Sequence, residues 1–445
     1  MHKLFLISMM VYLLFPIECL AKIRLPEGYL ILVVVETYGE SKFGAISTGE
    51  EAEKIFSRIK YKDSGVAFIS LYYNENDLNA HYHIAKVAQK YGIDLWISSF
   101  SLIDKIEAFG KIKPEYQAYQ MQKDGSIIPA TLNNKPLFDV LNEDAVTWFL
   151  QEYKTRFLER FKGILNGYFF DEDILTYLDE WKNEKRFDYW NNPTYSQAVL
   201  EKWQEYAMKH NVRHNGKLVD KFPVHVSNMV SGFTEYYPGY NVPAEITPGQ
   251  MFVDLPKPEG VWKHWFDFIS ELFINNWIGK IAGVVNEVNK DNPQWYGTVY
   301  IGLHHWTLPY EKIIDKEFTV PYIHRWGAWG RQRGMDIELL AQHPEIDYIV
   351  CETYPPIEGN LEYFIAEYKR IINGDMKFGL MLHRDDRWKL NLEEEKRRWE
   401  LIKKYRPHLL VLFPLKSIFE KSEYYSEEGE KYFLEELNNY RRSIR

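Results

Sequence analysis

Leu165-Asn166-Gly167-Tyr168-Phe169-Phe170-Asp171-Glu172-Asp173 is the stretch whose reading decides the fold. A short apolar run, Tyr168 to Phe170, stops at three consecutive acids. Apolar runs of this length, bounded by turn residues and flanked by helical patterns, read as buried parallel strands. In a barrel or a doubly wound sheet, the residues just past the carboxyl end of such a strand face the binding site. Three adjacent like charges repel one another, so at least one carboxyl should have a raised pKa. A carboxyl protonated near neutral pH is what a general acid requires. The competing reading is a solvated acidic loop, or a helix cap at Asp171 or Asp173.

Working outward, the same rhythm recurs on both sides. Tyr29 to Val35 reads as a first strand ending at Glu36, followed by a helix over 48–59 with Thr48 as its N-cap. Val66 to Tyr72 is a second strand, a helix near 76–91 stops at Gly92, and Ile93 to Ser98 is a third. The helix at roughly 144–162 leads into the opening strand, which is therefore the fourth. Gly297 to Leu303 is the fifth, ending at His304-His305-Trp306. Ile346 to Cys351 is the sixth, ending at Glu352, and Lys377 to Leu382 the seventh, ending at His383-Arg384-Asp385-Asp386. His408 to Phe413 is the eighth, and a helix over 427–442 closes the chain. Eight strands with helices between them is the count of a (β/α)8 TIM barrel, an α/β fold. A doubly wound sheet lacks support, because no glycine-rich phosphate loop follows the first strand.

Two connections are long. Residues 100–142 are turn-rich, and a structureless connection of that length suggests a binding loop. Residues 174–260 hold a helix near 194–209, a hairpin at Asn215-Gly216 and many aromatic residues. After them, Trp262, Trp265, Phe266, Ile269, Leu272, Phe273 and Trp277 mark one face of a long helix, a face that suits a core.

Residues 1–21 read as a secretory signal: Lys3 precedes an apolar run from Leu4 to Phe15, and Cys19-Leu20-Ala21 supplies small residues for cleavage. Residues 22–445 then form the barrel with insertions at about 100–142 and 174–260, and the expected location is secreted or periplasmic. No later stretch is apolar enough to span a membrane. Once the signal is removed only Cys351 remains, so no intrachain disulfide is possible. A net charge of −9, with both signs interspersed, argues against nucleic acid as a partner. The 14 Trp, 32 Tyr and 26 Phe suit both a large core and stacking on sugar rings, and do not choose between them.

In such a barrel the carboxyl-terminal ends of the strands gather Glu36, Asn74, Asp171, Glu172, Asp173, His304, His305, Glu352, Tyr354, His383, Arg384 and Asp385. Glycoside hydrolysis needs two carboxyl groups flanking a sugar oxygen, one to donate a proton and one to attack or to activate water. Glu352 lies in Tyr348-Ile349-Val350-Cys351-Glu352-Thr353-Tyr354-Pro355-Pro356, after an apolar run and before a proline turn. Its alternative role is as a structural partner of Arg384 or a histidine. His304-His305 lacks metal-ligand spacing, and no metal or cofactor is expected.

With these motifs in place, the chain resembles the clan A (β/α)8 glycoside hydrolases, most closely family 42, the β-galactosidase-like enzymes. The resemblance spans roughly residues 28–415. It rests on the acid-ending fourth strand, on the helices around Trp203 and Trp262 to Trp277, and on Asp347 to Pro355 as a match to that family's sixth strand. It implies Glu172 as the proton donor. It departs at Asp171, where the family has an asparagine, and at the seventh strand, where the family's nucleophile glutamate is replaced by Met381-Leu382-His383. Either Glu352 takes the role of nucleophile or base from the sixth strand, or Asp385 reaches in, or the retaining mechanism does not apply; Glu352 is the best candidate. Glu36, Asp171, Asp173, His305, Trp306, Tyr354, His383 and Arg384 become candidate contacts to the sugar. The expectation is a secreted glycosidase acting on an oligo- or polysaccharide. The alternatives are a substrate-assisted N-acetylhexosaminidase-type enzyme using Asp171-x-Asp173, and a non-catalytic carbohydrate-binding barrel.

Overall fold

The eight apolar runs pair into one closed sheet of parallel strands, as seen in a computed structural model of the chain. The structure describes residues 25–26, 28–36, 48–57, 64–70, 75–98, 106–107, 109–121, 127–132, 135–170, 195–214, 217–219, 260–302, 334, 336–353, 361–372, 378–383, 391–413 and 427–443. The barrel strands are β1 (Tyr29–Glu36), β2 (Ser64–Ser70), β3 (Asp94–Ser98), β4 (Gly167–Phe170), β5 (Gly297–Gly302), β6 (Tyr348–Thr353), β7 (Phe378–His383) and β8 (Leu409–Phe413). Each pairs in parallel with its sequence neighbours, and β8 pairs back onto β1. The fold is a (β/α)8 TIM barrel.

The register sets the strand tilt. Followed one way round, Val35 of β1 is level with Tyr348 of β6; followed the other way, Ile31 is level with Glu352. The two routes differ by four residues on each strand, together a stagger of about eight, the shear of this barrel type.

Alternation along each strand sorts the residues into two cores. Tyr29, Ile31, Trp96, Phe169, Tyr348, Val350, Met381, Leu409 and Val411 fill the barrel. Their neighbours Leu30, Leu95, Ile97, Tyr168, Phe170, Ile349, Cys351, Leu380, Leu382, Leu410 and Leu412 pack outward under the helices. Both faces are therefore apolar, which is why these strands read as continuous aliphatic runs. Burying one such side chain contributes about 1.5–3 kcal/mol.

The opening stretch shows why its first residues are what they are. Asn166 accepts the Leu95 amide at 2.8 Å and donates to the Gln294 carbonyl at 3.3 Å, so it pins β4 between β3 and the lead into β5. Gly167 lies against Trp96, and a Cβ there would fall 2.0 Å from the indole. Gly65 of β2 makes the same concession, at 2.5 Å from that ring. Trp96 donates to the Tyr29 hydroxyl at 3.2 Å, Tyr29 donates to Asp94 at 2.7 Å, and Tyr296 stacks on Trp96 with ring centroids 6.2 Å apart. This aromatic floor closes the amino-terminal end of the barrel.

The helices are α1 (Gly49–Phe56), α2 (Glu75–Lys90), α3 (Glu143–Arg156), α4 (Gln197–Lys209), α5 (Gly260–Leu272), α6 (Gly279–Asn289), α7 (Ile337–Gln342), α8 (Leu361–Ile372), α9 (Leu392–Tyr405) and α10 (Glu427–Ser443). Thr48 and Glu51 exchange side chain-to-backbone bonds at 3.1 and 3.2 Å, a capping box that starts α1. A π turn, Phe273–Ile278, joins α5 to α6, and within this run Trp265, Ile269, Phe273 and Trp277 are buried, as the periodicity predicts.

Three expectations change. The second strand starts at Ser64, ahead of the apolar run from Val66, because Ser64 and Gly65 join the ladder. Glu36, Glu352 and His383 belong to their strands rather than following them. Finally, the described part of 100–142 is folded. It pairs Tyr119–Met121 with Ile127–Pro129 and Thr131–Leu132 with Lys135–Pro136, and it buries Ile106, Phe109, Ala118, Ala130 and Phe138. Short ladders around buried apolar residues do not show as periodicity, so the segment read as structureless. In the second long connection, the pairing of His214 with Lys217 leaves Asn215-Gly216 between the paired residues, as the hairpin signal predicts; most of 174–260 lies outside the described residues.

Candidate active site

Opposite the closed floor lies the carboxyl-terminal mouth, where functional residues gather in this fold. The inner series, counted upward in twos, identifies which strand residues reach it. On β6 the series Tyr348, Val350 continues to Glu352, whose Cα partner on β7 is Met381. On β7 the series through Met381 continues to His383, whose partner on β8 is Phe413. Adjacent strands thus bring Glu352 and His383 to neighbouring inner positions at the mouth. Glu36, by contrast, follows the parity of Leu30, which belongs to the outer series. Asp171, Glu172, Asp173, His305, Trp306, Tyr354 and Arg384 lie outside the described residues. The strand that precedes the acid triplet is described to its last residue, Phe170, and is wholly buried.

Beside the mouth, a hydrogen-bonded shelf forms where α3 begins. Asn142 caps α3 by accepting the Asp144 and Ala145 amides at 3.1 and 3.3 Å. Asn276, in the π turn, donates to the Val140 and Leu141 carbonyls at 3.4 and 3.0 Å. Glu143 meets Lys280 of α6 at 2.9 Å and Lys202 of α4 at 3.0 Å, and these ammonium groups hold its carboxyl down at about 2. These pairs are largely exposed and contribute little stability.

One titratable group on this shelf escapes the strand-end logic. Asp139 is only 1% exposed. Burial pushes its carboxyl up to about 6, while the Ser196 hydroxyl, the Leu141 and Asn142 amides and the Lys202 charge pull the other way. The signal in the sequence is an acid inside an apolar run, Leu137-Phe138-Asp139-Val140-Leu141. The folded protein holds this proton more tightly than the unfolded chain, so stability rises as pH falls through about 6 and the gain is complete below the ordinary value of 3.8. The two values differ by enough for about 3 kcal/mol. Urea unfolding at pH 4.5 and 7 should show this trend, and Asp139→Asn should flatten it. An equal pH slope in both proteins would refute the assignment.

Other candidates drop out on their surroundings. Cys351 is buried in the outer series of β6. His81 is buried in α2, and burial holds its ring down at about 4, neutral at physiological pH. Among the described residues, no group of three or more His, Cys, Asp or Glu could hold a metal ion. No helix among them is long and apolar enough to cross a membrane.

No protein-family model matches the sequence, and no curated protein matches it. Solved structures do. The catalytic domain of a β-amylase from Paenibacillus polymyxa is similar with a TM-score of 0.51 at 10% identity, over 94% of this chain and 99% of that one. The AHE enzyme from Alicyclobacillus herbarius gives 0.43 at 8% identity, over 95% and 99%. A psychrophilic glycoside hydrolase family 10 endo-β-1,4-xylanase gives 0.37 at 10% identity, over 87% and 86%.

The likeness is one of fold. At such identities no residue's role passes from a neighbour to this chain, and nothing singles out family 42. The motif that suggested family 42 has a structural component. Asp347, just before β6, accepts the Thr298 amide at 2.7 Å and fills the space beside Gly297, where a Cβ would lie 2.1 Å from its carboxylate. Gly297 sits at φ 108°, a conformation that favours glycine. Asp347 therefore sets how β5 enters the barrel, at the end opposite the mouth.

Proposed function

We propose that the chain is a glycoside hydrolase that works at the carboxyl-terminal mouth of its barrel. The observation that carries this reading is Glu352 in the inner series of β6, at the mouth of a barrel similar to a β-amylase catalytic domain. Glu172 is the general acid, its proton retained by the flanking charges of Asp171 and Asp173. Glu352 is the nucleophile, or the base that activates water. His305, Trp306, Tyr354, His383 and Arg384 bind the sugar, and residues 1–21 direct export.

A second reading rests on the spacing Asp171-x-Asp173 directly after β4 in the sequence. That suits a substrate-assisted mechanism, in which the aspartate pair orients an N-acetyl group and protonates the leaving oxygen.

A panel of aryl glycosides tests the proposal. β-Galactosides come first because of the Asp347 to Pro355 motif, and N-acetylhexosaminides stand for the second reading. Turnover on the former with Glu352-dependent kinetics supports the first reading. Turnover confined to the latter supports the second. Binding of glycans without turnover on any member would make the chain a carbohydrate-binding barrel and overturn both.

A further inference from the structure

The described parts of the two long connections meet where α3 and α4 begin. In the first, Asp139 donates its amide to the Tyr116 carbonyl at 2.9 Å, and Ala118 donates to the Leu137 carbonyl at 2.8 Å. Asn142 reaches the Glu115 carbonyl at 3.2 Å, so residues 115–118 and 137–142 form one braced unit. In the second, Tyr195 and Ser196 lead into α4, and Ser196 is its N-cap. The Tyr195 amide joins the two by donating to the Tyr119 carbonyl at 3.0 Å, and the Ser196 hydroxyl bonds the Asp139 carboxyl. Lys202 adds its exposed pair with Glu143, and Tyr195 stacks on Trp265 of α5 with ring centroids 5.3 Å apart.

We propose that Asp139 and Ser196 form an acid-tightened clasp that holds the first long connection to the start of α4. Both residues are buried. Asp139 Oδ1 accepts the Leu141 amide at 3.0 Å, while Oδ2 has no hydrogen-bond partner among the described residues. A buried carboxylate oxygen left without a partner disfavours the anion, and a proton on it removes the charge. With Asp139 ionised, Ser196 donates to the carboxylate. With Asp139 protonated, Oδ2 donates and the Ser196 oxygen accepts. The pair survives in both forms, and only the ionised one carries a buried charge. Opening the clasp returns Asp139 to water and to its ordinary value of 3.8, against about 6 when closed. The closed form is therefore favoured as pH falls through about 6, and the gain is complete below 3.8.

The charged groups around the clasp act differently. Lys202 of α4 pulls Asp139 toward ionisation. Glu143 of α3, held at about 2 by Lys280 of α6 and by Lys202, exchanges no proton in the same range. Glu115 in the turn Pro114–Tyr116, Asp144 of α3, and Glu201 and Glu205 of α4 are exposed. From the π turn, Asn276 presents a neutral amide that is bound to the Val140 and Leu141 carbonyls. Tyr116 and Tyr195 are the phenols of the junction. His210 and His264 flank Tyr206 further along α4, at ring centroid distances of 4.2 and 6.4 Å, and Asp267 and Glu271 of α5 act on that same tyrosine. Residues 122–126, 133–134 and 171–194 lie outside the described residues.

The test is hydrogen exchange by mass spectrometry on the full chain between about pH 5 and 7.5, read as protection after correction for the pH dependence of intrinsic exchange. In wild type, protection of 114–121 and 195–209 should rise about ten-fold from pH 7.5 to 5, relative to α10, which packs on α9 instead. Asp139→Asn, neutral throughout, should keep the acid level of protection at both ends of the range. Ser196→Ala removes a hydroxyl that favours the ionised form, so the midpoint of the response should move to higher pH. Loss of a helix cap alone would lower protection and leave the midpoint in place; that outcome removes Ser196 from the clasp and overturns the proposal. Wild-type protection that is flat in pH overturns it without recourse to any variant. A pH response that persists in Asp139→Asn belongs to other groups, His210 and His264 among them, and overturns it as well. No substrate enters the measurement, so its outcome is independent of the glycosidase reading.

Discussion

Glu352→Ala should lower turnover by at least about 10⁴-fold, the scale on which removal of a covalent nucleophile acts. The loss should appear in kcat, because no glycosyl ester can form once the carboxylate is gone. Secondary structure and melting temperature should change little, since the substitution lies at the mouth, above the packed layers of Val350, Met381 and Val411. Azide should restore turnover and give a glycosyl azide of inverted anomeric configuration if Glu352 is the nucleophile. If it is the base of an inverting enzyme, the wild-type product should emerge with the opposite anomeric configuration from the substrate. NMR of the first-formed product chooses between these roles. Near-normal activity in the variant would eliminate both, and would move the search to Asp385 or to the aspartates after β4.

Glu172→Gln should reduce turnover by about 10²–10⁴ on glycosides with poor leaving groups, the usual contribution of a proton donor. Activated aryl glycosides, whose leaving group needs no proton, should lose far less. Asp171→Asn is the informative companion. Under the first reading it removes a neighbouring charge, so the basic limb of kcat should fall toward lower pH while the maximum rate is largely kept. Under the substrate-assisted reading it should itself produce the large loss, and Glu172→Gln the small one. Equal, small losses in both variants on both kinds of substrate would remove the acid triplet from the chemistry.

How these residues divide between strand and loop was only partly legible in the chain. The eight runs, their order and their end residues could be read in advance, because a parallel strand buried on both faces must be apolar throughout. Tyr168 to Phe170 and Leu409 to Phe413 satisfy that condition in plain view. The same uniformity hides the other half of the information. When both faces are apolar, nothing in the pattern says which face is inside the barrel, so Glu36, Glu352 and His383 looked equivalent as strand ends.

By itself, then, the sequence determined the count of strands, the helices between them and the acids at the carboxyl ends, because these follow from local hydrophobicity and turn chemistry. Tertiary structure alone decided the rest. Trp96, reaching across the floor, requires Gly65 and Gly167 and so brings two turn-like residues into the ladder. Closure of the sheet fixes a register, and the register assigns Glu352 and His383 to the inner series beside one another and Glu36 to the other parity. Asp139 is buried by loops and helices distant in sequence, so its raised proton affinity is a property of the assembled shelf. Pairing between strands and burial by remote segments are relations between residues far apart in the chain, and no local pattern encodes them.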